Sequence, residues 1–223
     1  MKLLRLSMLL VSTLVLFSWP IYADTISIGL QEGGASPTTV ATGVGDASVT
    51  QAFGTFSSVS VTGHGQSTLT PPDVLFSNAI NTATAMGGTL DIFITDQGLI
   101  APNGTIPFGS SFTVNTLPSG WTVEELTFVD ANNGLYGGAP LSAFTFSSIG
   151  TNAQATAAAT GITPYSVTEE FIVHATGAGD SNDTIDLTAT PVVGAPEPSV
   201  VFLLGIGLMG VGLLKRCNVV RWF

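Results

Sequence analysis

Between residues 24 and 190 apolar and polar side chains alternate in short runs, the period of strands with one buried face. Thr25-Ile26-Ser27-Ile28 opens the series and Ser58-Val59-Ser60-Val61-Thr62 repeats the pattern. Leu90, Ile92 and Ile94 share a face in a run that the Asp96-Gln97-Gly98 turn is expected to end. Residues 110–114 and 121–129 give two more strands. In the second, Trp121 and Val123 are odd-numbered but Leu126 and Phe128 even, so the phase slips and predicts a β-bulge near Glu124-Glu125. Asp130-Ala131-Asn132-Asn133-Gly134 reads as a turn, and Phe144 and Phe146 share a face beyond it. The alanine-rich stretch 153–160 fits a strand or a short helix. Residues 165–175 form the longest signal, with Tyr165, Val167, Phe171 and Val173 on one face. Glu169 falls on that face, which predicts an edge or rim strand where an inward acid discourages aggregation. Residues 184–190 close the series with Ile185 and Leu187 inward and Asp186 outward.

About nine such strands, separated by Gly, Pro, Asn and Asp turns, predict an all-β, antiparallel β-sandwich. From Asp24 to Pro196, Ser and Thr supply 44 residues and Gly 22, and Lys and Arg none. Helices there would lack any acid–base pair at i, i+4. One hexapeptide recurs: Ala41-Thr42-Gly43-Val44-Gly45-Asp46 returns as Ala175-Thr176-Gly177-Ala178-Gly179-Asp180, and both copies read as hairpin turns.

The charges divide the chain. Lys2, Arg5, Lys215, Arg216 and Arg221 are all of its basic residues, whereas 14 of its 15 acids lie between Asp24 and Pro196. Lys2 and Arg5, the apolar stretch from Leu6 to Phe17, and the small residue Ala23 before Asp24 have the order of a secretory signal peptide at 1–23, cleaved between Ala23 and Asp24. Basic clusters at both ends stay cytoplasmic, which places the acidic body across the membrane from them. A body with this charge is repelled by nucleic acid. The one cysteine, Cys217, lies outside the body, so the body has no disulfides.

Pro196-Glu197-Pro198 precedes an uncharged run, Val200 to Leu214, and then Lys215-Arg216. The run is 15 residues, roughly 22 Å as a helix, short for a membrane span but workable with snorkelling ends. This order resembles the PEP-CTERM sorting signal of exported bacterial proteins. It departs in having only two basic residues before Cys217 and an extension, 218–223, beyond them. The domain organisation is then signal peptide 1–23, sandwich body 24–194, sorting tail 195–217 with a short transmembrane helix, and the extension. The resemblance implies a membrane exosortase as processing partner, transient anchoring through the helix, and delivery to the cell surface or extracellular matrix among exopolysaccharide. Gly205-Ile206-Gly207-Leu208-Met209-Gly210 matches a dinucleotide fingerprint in letters but lacks the downstream acid that motif needs.

Chemistry is sparse. No serine sits in G-x-S-x-G and no H-E-x-x-H occurs, which leaves His64 and His174 as the histidines a hydrolase would have to use. His64, in Gly63-His64-Gly65, reads as a loop residue, and His174 shares a solvated face with Ser166, Thr168 and Glu170. No cofactor is expected. The one metal candidate is a Ca²⁺-type oxygen set, Asp180, Asn182, Asp183 and Asp186, in an acidic turn that lacks the EF-hand glycine and glutamate. The function expected is a non-enzymatic matrix protein. A carbohydrate-binding module stacking sugars on Trp121, Tyr136 and Tyr165 is the first alternative, and an unrecognised hydrolase the second.

Overall fold

The computed structural model describes residues 24–83, 86–161 and 164–190. The expected signal peptide, the sorting tail and the extension lie outside these. Twelve strands follow one another: β1 (Thr25–Glu32), β2 (Thr38–Val44), β3 (Asp46–Phe53), β4 (Phe56–Gly65), β5 (Asp73–Ala83), β6 (Gly88–Leu99), β7 (Thr105–Thr116), β8 (Thr122–Asp130), β9 (Ala139–Phe146), β10 (Gly150–Ala159), β11 (Tyr165–Ala175) and β12 (Gly179–Ala189). No helix occurs among the described residues, so 153–160 belongs to a strand, β10.

The strands form two antiparallel six-stranded sheets, ordered β2-β1-β6-β11-β8-β9 and β10-β7-β12-β5-β4-β3. From β5 onward the pairing is that of one long hairpin rolled on itself: β5 with β12, β6 with β11, β7 with β10 and β8 with β9. That is a jelly roll. The first four strands widen it, β1 and β2 beside β6, and β4 and β3 beside β5. The core lies between the sheets. Ile26, Ile28 and Leu30 of β1 meet there with Leu90, Ile92 and Ile94 of β6, Phe108 and Phe112 of β7, and Ile185 and Leu187 of β12, all essentially buried.

Four expectations give way, three of them at acids. β6 does not turn at Asp96-Gln97-Gly98 but runs on to Leu99, with Asp96 buried in the strand. β8 has no bulge near Glu124-Glu125. It pairs with β11 without a register shift, and Val123, Glu125, Thr127 and Val129 all face inward, leaving Leu126 and Phe128 on the outer face. β11 is no edge strand; it lies between β6 and β8, and Glu169 is wholly buried. The repeated hexapeptide marks not hairpins but corners. Each copy carries the chain from the first sheet to the second, β2 to β3 and β11 to β12.

The outer face of the first sheet is covered by its own chain. The Asp130 carboxylate accepts the N–H groups of Asn132 (2.8 Å) and Gly134 (3.2 Å), closing the turn after β8. The segment that follows lies back over the sheet. The Tyr136 and Gly137 N–H groups donate to Thr95 (3.1 Å) and Thr168 (3.4 Å), while the Ser166 hydroxyl donates to the Gly134 carbonyl (2.7 Å). The Tyr136 ring sits over Gly29, where a Cβ would come within 2.7 Å of it. This cover explains why Ser27, Thr95, Ser166 and Thr168 are buried although they point away from the core.

Candidate functional site

The acids make up all the formal charge of the body, and eight of the 14 gather in three places. The first is an end of the sandwich where Asp24, at the entry to β1, meets Asp96 of β6. Thr25 pairs with Gln97 and Ile26 with Asp96, which sets Asp24 beside the end of β6. The Asp24 carboxylate accepts the Ser67 N–H (2.8 Å) and that of Asp96 accepts the Gln66 N–H (3.0 Å). Both lie against Gly65, where a Cβ would be 2.7 Å from one and 2.6 Å from the other. Only glycine leaves room for the pair to meet. Burial pushes Asp96 up to about 8; the Gln66 N–H opposes this, and the charge and hydrogen bond of Asp24 add to it. The second oxygens of Asp24 and Asp96, and the Tyr165 hydroxyl, have no hydrogen-bond partner. Burial, and then the charge of Asp96, raises Tyr165 as well. A surface cleft of about 260 Å³ opens beside them, lined by Asp24, Gln66, Ser67, Gly98, Leu99 and Ile100.

The second group lies inside the sandwich. Glu125 of β8 and Glu169 of β11 project from the first sheet, and Asp183 of β12 projects from the second. Burial raises all three: Glu125 to about 9, with Asp183 adding and the Thr113 N–H opposing; Asp183 to about 7, with the Ser181 hydroxyl opposing. Glu169 rises well above the carboxylate range, chiefly by burial. The Ser77 hydroxyl lies near enough to oppose that rise without closing a hydrogen bond of normal geometry. Asp183 does accept one, from Ser181 at 2.8 Å. Without a cation to pair with, these carboxyls are settled by protonation.

The third group is on the outer face of the first sheet. Asp91 and Glu124 both lie opposite Ile172, with Glu170 diagonal to them. Glu170 is raised to about 7, by burial first and then by Asp91 and Glu124. Asp91 is raised by burial and lowered by the neighbouring His174.

The candidates named from the sequence are not brought together. Asp180, Asn182, Asp183 and Asp186 belong to a strand, not a turn; Asp183 faces inward and the other three outward. Among the described residues no three acids, histidines or cysteines cluster as a metal would require. His64 is in strand β4 rather than a loop, its ring stacked 6.2 Å from Phe76. His174 lies on the other sheet, with its Nδ1 2.9 Å from the Thr89 hydroxyl. It is exposed, whereas Ser166 and Thr168 beside it are covered. Trp121 and Tyr165 are buried and present no face to a sugar, leaving Tyr136, half-buried, of the three proposed stacking rings. Ala23, Pro196, Glu197, Pro198, Lys215 and Arg216 lie outside the described residues. The sequence reading gave none of these acids a place inside the sandwich, yet Asp96, Glu125, Glu169 and Asp183 each keep the parity of their strand's buried apolar residues.

No protein-family model and no curated protein matches the chain. Among solved structures it is similar to an arabinose-bound MgGH51 α-L-arabinofuranosidase (TM-score 0.32, 9% identity, 65% of this chain and 23% of that one). It is also similar to the enzymatically active domain of tailspike protein 4 of bacteriophage CBA120 (0.28, 12%, 74% and 19%). A third likeness is to infectious bursal disease virus, Gx strain (0.29, 12%, 81% and 54%). The chain spans 54% or less of each of these chains, and at such TM-scores none bears on its function.

Proposed function

We propose that this is an exported, non-enzymatic structural protein, sorted by its C-terminal tail to the cell surface or extracellular matrix, where it is held among exopolysaccharide. The observation that carries the reading is the order of the tail: Pro196-Glu197-Pro198, an uncharged run, then Lys215-Arg216. Prolines on both sides of Glu197 favour extended backbone there, which supports its recognition by a membrane exosortase ahead of the uncharged run. The body is consistent with that delivery. It is a cysteine-free sandwich with 14 acids and no Lys or Arg, so it is repelled by nucleic acid and by anionic lipid headgroups once the tail is gone. Two of its buried acids, Asp24 and Asp96, hold the turn at Gln66-Ser67.

The test is Glu197→Ala in the producing cell. The expected result is normal export, with the body accumulating in the membrane fraction and its tail retained. Normal trimming of the variant would overturn the sorting role of Glu197.

A further inference from the structure

We propose that the Asp24–Asp96 carboxyl pair is a binding site for an α-ammonium group, and that the group it binds is the one on Asp24 itself, created by cleavage after Ala23. The inference rests on the reading of residues 1–23 as a signal peptide and goes beyond it by giving the new chain end a place in the fold.

Hydrolysis of the Ala23–Asp24 amide consumes one water and leaves a carboxylate on Ala23 and an ammonium group on Asp24. No other permanent positive charge exists between Asp24 and Thr190, because that stretch has neither Lys nor Arg. Asp24 is the residue that forms the site. Its carbonyl accepts the Gly45 N–H (3.2 Å) and its carboxylate the Ser67 N–H (2.8 Å), so the residue is fixed at both ends. Its α-nitrogen is three bonds from its own carboxyl carbon, hence within about 4 Å of it by covalent geometry. That carboxyl converges with Asp96 on Gly65. The free oxygens of Asp24 and Asp96 are acceptors in search of a donor, and an ammonium group carries three N–H bonds.

The groups facing the site from the neighbouring elements are few. Asp96 comes from β6 and the Tyr165 hydroxyl from β11. The turn after β4 brings the Gln66 and Ser67 N–H groups, and the corner before β3 brings the Gly45 backbone with Ser67 and Thr68 beside it. All are neutral or acidic. Before cleavage the same nitrogen is a neutral amide with one N–H, so the precursor has only the proton that burial holds on Asp96 to offset the charge of the pair. Removal of the signal peptide therefore supplies the counter-charge that completes this end of the sandwich.

The chemistry of the chain makes the test clean. In a chain freed of residues 1–23 and carrying Lys215→Arg, the α-amine is the only amine, whether or not the tail has been trimmed. Asp24 lines the cleft but is only 4% exposed, so the amine is modified in the unfolded chain, which is then refolded. N-terminal mapping comes first: a mature chain that starts elsewhere than Asp24 overturns the cleavage reading and this proposal with it. With Asp24 first, the α-amine is expected to titrate at least one unit above its ordinary value of about 7.7–8.0, a tenfold or greater preference for the charged form. Acetylation, which removes the charge, is expected to lower Tm at pH 7 by several degrees, and reductive dimethylation, which keeps it, to leave Tm nearly unchanged. Asp96→Asn separates charge from bulk. If the ammonium pairs with the acids, the loss on acetylation shrinks in this variant; a loss that persists in full is steric and overturns the proposal. An α-amine that titrates normally, with no effect of acetylation, overturns the proposal while leaving the cleavage site intact.

Discussion

Glu125 and Glu169 are diagonal neighbours across the β8–β11 ladder: Glu169 faces Thr127, and Glu125 faces Phe171 two positions along. Both hang into the space between the sheets, and Asp183 approaches from the other side. The arrangement makes the folded state a better proton binder than the unfolded chain. Burial raises Asp183 and Glu170 to about 7, Asp96 to about 8 and Glu125 to about 9, and holds Glu169 well above the usual carboxylate range. An acid whose pKa is raised on folding contributes most below its unfolded value, and the contribution is lost as pH rises through the folded one.

Stability should therefore be greatest near pH 4–5, decline from there, and go on declining through about pH 9. The measurement is Tm, or the free energy of urea unfolding, of the mature chain at pH 5 and pH 8. A higher Tm at pH 8 would mean that the inward acids are ionised and individually satisfied.

Glu125→Gln isolates one of these protons. The amide keeps the shape and cannot ionise, so the slope of unfolding free energy with pH should flatten by about 1.4 kcal/mol per unit between pH 5 and pH 8. At pH 5, where the acid is protonated in the folded state, the change should stay within about 1 kcal/mol. An unchanged slope would show that Glu125 is not among the groups that take up protons on folding.

Gly29→Ala tests the covering segment. The added Cβ would lie 2.7 Å from the ring of Tyr136, a residue whose hydroxyl is tied to Thr39 at 2.6 Å and whose backbone N–H is tied to Thr95. Overpacking of this kind costs about 1–3 kcal/mol. In Tyr136→Ala the same change at Gly29 should cost much less, and a double-mutant cycle measures the difference. Equal costs in both backgrounds would place the strain elsewhere.

The sandwich was legible because most inward positions are apolar and alternate; 165–175 and 184–190 were read in the right phase for that reason. Asp96, Glu125 and Glu169 were misread as a turn, a bulge and an edge, although each sits in phase with apolar neighbours. An interior acid is expected to have a cation or to mark the end of a buried face. Here it has neither, and the proton that makes burial tolerable is invisible in the residue letters. Other misses have a different cause. β2 and β3 are edge-region strands whose side chains are mostly half-buried or exposed, so their periodicity is weak. The burial of Ser27, Thr95, Ser166 and Thr168 comes from a distant segment, 131–138, which no local pattern announces. The jelly-roll winding depends on pairings such as β5 with β12, about a hundred residues apart, which no local pattern specifies either.

The last two strands among the described residues, β11 and β12, both lie inside their sheets, between β6 and β8 and between β7 and β5. Without residues 165–189 the pairings fall into four separate ribbons, β2-β1-β6, β8-β9, β10-β7 and β5-β4-β3, four of whose strands lose the neighbour that joins them. A chain interrupted before that point is not a smaller sandwich. It is a set of open edges ready to aggregate or to be degraded. Completion is thus checked by topology: the final segment of the body is the seam, and only a chain that has emerged in full can close it.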